Sequence, residues 1–131
     1  MIVREFEGWL ADLLAAQPWV RQVSRWSTGG GPKPVGVTLN GRIDIQLVGG
    51  DQKAPPLDPD NAGTASPVEA TPGQPPAWAD AIVAAISAAG LPRVAVAETY
   101  AQWGGSSKPA GMRVQFTDGS EVFGTVLNAS L

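Results

Sequence analysis

The stretch Val35-Gly36-Val37-Thr38-Leu39-Asn40-Gly41-Arg42-Ile43-Asp44-Ile45-Gln46-Leu47 decides the fold. Apolar and polar residues alternate on both sides of an Asn-Gly pair, the pattern of a β-hairpin with one buried face. Parity then selects the register. A two-residue Asn40-Gly41 loop would pair Leu39 with Arg42 and split the apolar sets between the faces. A three-residue loop, Asn40-Gly41-Arg42, pairs Leu39 with Ile43 and Val37 with Ile45, and leaves Thr38 and Asp44 facing water. The second register is expected, with Gly41 or a bulge in the left-handed position.

Upstream of the hairpin, Phe6, Leu10, Leu13 and Leu14 are spaced as one helical face, with Trp9 beside it and Pro18 closing the helix. Glu5 and Glu7 favour a helix N-terminus. Val20 and Val23 lie in a short polar run to Trp26 that reads as a strand, and Ser27 to Pro32 reads as a loop.

Downstream, the same order returns. Trp78, Ile82, Val83 and Ile86 have helical spacing behind Pro75-Pro76, and Gly90 is a natural stop. Val94 and Val96 begin a strand running towards Tyr100, and Gln102 to Ser107 reads as a loop. Met112, Val114 and Phe116 alternate before Asp118-Gly119 turns the chain. A three-residue loop Asp118-Gly119-Ser120 pairs Phe116 with Val122. It puts Met112, Val114, Phe116, Val122 and Val126 on one face.

The halves therefore read as copies. Trp9-Leu-Ala-Asp answers Trp78-Ala-Asp, and Pro18-Trp-Val answers Pro92-Arg-Val. Trp26, a Gly/Ser loop and Lys33-Pro34-Val-Gly36 answer Trp103, a Gly/Ser loop and Lys108-Pro109-Ala-Gly111. The expected fold is α+β: two tandem αβββ-like units with antiparallel hairpins, residues 1–48 and 77–131, related by internal duplication. Each unit alone is too small to bury much. Between them, residues 49–76 form a Pro/Gly-rich acidic linker, holding seven of the chain's twelve prolines.

Composition narrows the function. Of 131 residues only 16% are charged while 44% are hydrophobic, and the net charge is −3. That charge sits in the linker, where Lys53 faces Asp51, Asp58, Asp60 and Glu69. Near-neutral flanks tend to associate, and a dense basic footprint for a nucleic-acid backbone is missing. The absence of Cys and His excludes disulfides, Cys/His zinc sites and every Ser-His or Cys-His catalytic arrangement. No paired-carboxylate, phosphate-loop or nucleophile-elbow pattern stands out, so neither an enzyme nor a cofactor is expected. No apolar run reaches the roughly 18 residues of a membrane span. The start, Met1 to Glu7, carries acid early and breaks at Pro18, which is unlike a signal peptide. The expected location is the cytoplasm or an assembled virion.

Trp19, Trp26, Lys33, Trp103 and Lys108 are the candidate binding residues, at protein interfaces or in ligand loops. In the paired loops a Trp supplies a stacking plane, glycines allow close backbone approach, and Lys adds a point charge, a chemistry suited to single-stranded nucleic acid. The competing reading packs each Trp on the sheet edge. Arg21 and Arg25 lie near the first loop. Asp58, Asp60, Gly63 and Glu69 match four positions of a calcium loop, but Ala62 offers no ligand at the fifth position and prolines replace the framing helices, so an acidic solvated linker is expected. Five tryptophans exceed what one small core needs, which places some at protein–protein contacts. The expectation is a non-enzymatic assembly protein with a protein partner or self-association. Richness in Ala, Gly, Val and Pro points to a GC-rich bacterial host and to a small virion component, such as a head–tail or tail protein of its phage. The alternatives are a nucleic-acid-binding module using the Trp/Lys loops and an acidic inhibitor or immunity-type protein.

Overall fold

In the computed structural model, residues 3–29, 35–49, 66–70, 73, 75–105 and 110–129 are described. Helix α1 (Val3–Ala15) leads to strand β1 (Val23–Arg25), a one-turn helix α2 (Trp26–Gly29), β2 (Gly36–Leu39) and β3 (Ile43–Gly49). The order then repeats: α3 (Pro75–Ala89), β4 (Val94–Thr99), one-turn α4 (Tyr100–Trp103), β5 (Gly111–Phe116) and β6 (Glu121–Ala129). All six strands form one antiparallel sheet in the order β1-β2-β3-β6-β5-β4. Each half thus supplies three consecutive strands, and the halves join where β3 pairs with β6.

This arrangement answers the size problem of each half. Val37, Leu39, Ile43, Ile45 and Leu47 from the first half merge with Met112, Val114, Phe116, Val122 and Val126 from the second into one buried cluster. Phe6, Leu10, Leu13 and Leu14 of α1 and Trp78, Ile82 and Ile86 of α3 cover that face. Phe6 meets Phe116 edge-on at 5.7 Å across the join. Burial of each such large side chain contributes roughly 1.5–3 kcal/mol.

The first hairpin has the expected register. Leu39 pairs with Ile43 and Val37 with Ile45. Asn40 and Gly41 both take positive φ, 55° and 72°, to close the loop. Asn40 adds a staple: its side-chain oxygen accepts from the Arg21 and Gln22 amides at 2.6 and 3.3 Å.

The second hairpin keeps the expected faces but not the expected register. Val114 pairs with Val122, and the Phe116 amide donates to the Ser120 carbonyl. The loop is Thr117-Asp118-Gly119, not Asp118-Gly119-Ser120. The physical reason is that this loop is a turn from Phe116 to Gly119 followed by a left-handed third residue, unlike the first hairpin, and Gly119, at φ 90°, takes that place. The slip is two residues, so every side chain stays on its face.

The strand expected to run towards Tyr100 does so and ends at Thr99. Where loops alone were expected after the first strand of each half, a one-turn helix intervenes. Thr99 and Gln102 form a capping box and Gly104 closes α4 in the left-handed conformation. The partner of Trp26 is also not Trp103. Trp26 opens α2 and lies over Gly36, whereas Tyr100 opens α4 and lies over Gly111. A Cβ on Gly36 would come within 2.5 Å of the Trp26 ring, and one on Gly111 would strike the Tyr100 ring.

Candidate protein-docking face

The helices α1 and α3 pack on one side of the sheet. By strand alternation the other side presents Thr38, Asp44, Gln46 and Val48 from the first half, with Val96, Glu98, Arg113, Gln115, Glu121, Phe123 and Thr125 from the second. No long helix among the described residues covers this side.

Its centre is apolar. Val48 pairs across strands with Phe123, and the Trp103 ring lies 5.4 Å from Phe123. Three large hydrophobic residues are exposed among the described residues: Val48 at 46%, Val96 at 37% and Leu127 at 49%. Val48 and Val96 belong to this face by register. Leu127 is the extra residue of a bulge in β6 and lies outside the core beneath the helices. Val48 adjoins Phe123 and, through it, Trp103, whereas Val96 stands opposite Gln115 on edge strand β4.

Around the centre runs a charged network. Arg113 Nε donates to Glu121 Oε2 at 2.7 Å and Arg113 Nη1 donates to Glu98 Oε1 at 2.9 Å, while the guanidinium also stands 5.4 Å over the Trp103 ring. The hydrogen bond to Glu121, and then that to Glu98, holds the Arg113 pKa above its ordinary value against the opposing effect of burial. Asp44 accepts from the Thr38 hydroxyl at 2.8 Å. Among the described residues of this face, one arginine stands against three carboxylates, a balance of −2.

The expected site residues fall in different places. Trp103 belongs to this face and is half-buried there. Trp26 is only 3% exposed, and its indole N–H donates to Thr38 Oγ1 at 2.9 Å, so its ring offers no open plane. Lys33 and Lys108 lie outside the described residues, as do Asp58, Asp60 and Gly63 of the calcium-like stretch. Trp19 sits at the far end of α1, edge-on to Trp78 at 5.7 Å. Its indole N–H donates to the Val68 carbonyl at 2.9 Å. Gln17 completes that contact: its side chain donates to the Ser66 carbonyl at 3.0 Å and accepts from the Val68 amide at 2.9 Å. One buried amide thus grips the backbone of the linker's last part as a neighbouring strand would. Arg21 lines a polar hollow with Gln22, Asn40 and Arg42.

Sequence reasoning missed Glu7, whose residue is 0% exposed. Its carboxylate accepts from Arg25 Nε at 2.9 Å, the Gly36 amide at 2.9 Å, the Ser27 amide at 3.3 Å and, by a short contact, the Ser27 hydroxyl. Burial raises the Glu7 pKa, but these four donors together outweigh it and hold the carboxyl below its ordinary value. The group ties α1 to the starts of α2 and β2. A buried carboxylate so fully engaged is structural. At the matching place in the second half, Ala79, Asp80, Thr99, Tyr100 and Gly111 line a pocket of about 80 Å³.

Comparison with known proteins finds no family, no curated protein and no solved structure that matches this chain.

Proposed function

We propose that the chain is a non-enzymatic assembly protein that docks a protein partner on the face of its sheet opposite α1 and α3. The observation that carries this reading is the group formed on one face by exposed Val48 with half-buried Phe123 and Trp103, with exposed Val96 further out on edge strand β4 opposite Gln115. Aromatic anchors with a polar rim are the usual make-up of a protein contact.

The sheet edges support the choice of the face. Edge strand β1 has three residues, and edge strand β4 carries a bulge between Val94 and Val96. Short strands and bulges blunt an edge against pairing with another chain. The nucleic-acid alternative is weaker here, because Trp26 is buried and the open face is net negative. The shared element order, the joined sheet and the Trp26–Gly36 and Tyr100–Gly111 contacts support descent of both halves from one duplicated unit. Placement as a small virion component rests on composition alone. Mass spectrometry of purified phage particles encoding the chain tests it.

The docking reading is tested by affinity capture from source lysate with the wild type and with a Val48→Glu/Val96→Glu variant of equal thermal stability. A protein retained by the wild type and lost from the variant supports the reading. Equal retention on both refutes it.

A further inference from the structure

We propose that the occupant of this face is a cationic amphipathic helix of a partner protein. The inference rests on the docking reading above and adds the chemistry of the partner.

Charge selects among the occupants. Among the described residues the face is apolar at Val48, Phe123 and Trp103, with Val96 on the edge strand, and it carries Asp44, Glu98 and Glu121 against Arg113. Each glutamate gives Arg113 a single oxygen, Oε1 of Glu98 and Oε2 of Glu121. Each carboxylate therefore keeps a second oxygen with lone pairs for a donor from outside. A second copy of the chain would set −2 against −2. Packed sheets stand about 10 Å apart, close to the Debye length at physiological salt, so that repulsion is only partly screened. The chain's own segment 51–65 is excluded by the same argument, since Lys53 faces Asp51, Asp58 and Asp60 there. An anionic membrane or a nucleic acid is repelled likewise. What fits is an apolar ridge flanked by Lys or Arg.

Shape points to a helix. The sheet already takes two helices on its other face, through α1 and α3, and a third on the bare face would complete a three-layer arrangement. A helix about 10 Å across spans roughly two strand spacings, which matches the central β3–β6 pair carrying Val48 and Phe123.

The probe is a synthetic 18-residue Leu/Lys amphipathic helical peptide, with its Leu/Glu counterpart as control, titrated into the full chain by fluorescence anisotropy. The Leu/Lys peptide should bind, more weakly as salt rises, and Val48→Ser/Val96→Ser should raise its Kd about tenfold or more. The Leu/Glu peptide should bind far more weakly. If both peptides bind alike and both lose affinity in the variant, the cationic preference is overturned while the docking face stands. If the Leu/Lys peptide binds wild type and variant equally, its site lies elsewhere, as on the acidic linker, and the proposal fails. A dimer in light scattering that the variant abolishes assigns the face to a second copy. No peptide binding and no dimer removes both the proposal and the reading beneath it.

Discussion

Replacing Glu7 by alanine should cost about 3–5 kcal/mol of folding stability, the range for removing one member of a buried charge cluster. The structure allows the figure to be assembled. The side chain is fully buried and receives the Gly36 amide, the Ser27 amide, the Ser27 hydroxyl and Arg25. Alanine strands the two backbone donors against an apolar hole, at about 1–3 kcal/mol each. Arg25, whose side chain is 37% exposed, regains water and adds little. Glu7→Gln is the sharper probe. It keeps the shape and one acceptor oxygen but loses the charge, which should cost about 1–3 kcal/mol. Its pH dependence carries a sign. Because the folded-state pKa of Glu7 is held below the ordinary carboxyl value, the carboxylate stabilises the fold above that ordinary value, and this stability is lost as pH falls through the folded pKa. Urea unfolding followed by tryptophan fluorescence at pH 7 and near pH 3.5 should therefore show the gap between wild type and Glu7→Gln narrowing in acid. A gap below about 0.5 kcal/mol at pH 7, or one that does not change with pH, would refute the argument.

Gly36→Ala and Gly111→Ala should each lower the melting temperature, because a Cβ there meets the Trp26 or Tyr100 ring and a backbone carbonyl; overpacking of this kind costs about 1–3 kcal/mol, read by calorimetry. Val48→Ser and Val96→Ser should leave stability within about 0.5 kcal/mol of wild type in the same assay, since both side chains stand outside the core. Gln17→Ala should release the backbone of Ser66 and Val68 from its clamp, and limited proteolysis should then cut faster near those residues with the rest of the fold intact.

The elements that were legible in sequence are those fixed by local pattern. The Val37–Ile45 register followed from parity together with the position of Asn40-Gly41, because a two-residue loop there would split the apolar sets between the faces. The second hairpin showed its buried face but not its register. Both loop placements obey parity, and only the demand for a left-handed third residue separates them at Gly119. The one-turn helix at Tyr100 had a readable signal in Thr99, Gln102 and Gly104, hidden by the valine alternation running into it. Glu7 misled because an acid in a first helical turn ordinarily faces solvent and the helix dipole, and its donors arrive from residues 18 to 29 positions away. The docking face depends on β3 pairing with β6 across the linker. No local pattern could show that Val48 would stand beside Phe123.

The unequal chemistry of the two halves indicates where recognition belongs. Along one row of the open face the second half sets Glu98, Arg113 and Phe123 side by side. The matching row of the first half is Ser24, Thr38 and Asp44, two small hydroxyls and a carboxylate already bonded to one of them. The first half directs its arginine inward instead, where Arg25 meets Glu7 beneath the sheet edge. At the matching place the second half has Ala79 and a small pocket. One half therefore uses its ion pair to fix its own loops, and the other displays its ion pair outward beside Trp103. If both rows served only to keep an antiparallel sheet in water, small polar residues like Ser24 and Thr38 would suffice in each. A largely buried arginine and an aromatic pair on one copy alone are costly for solubility and unnecessary for the fold, which supports the proposed contact on the second half and the central strand pair.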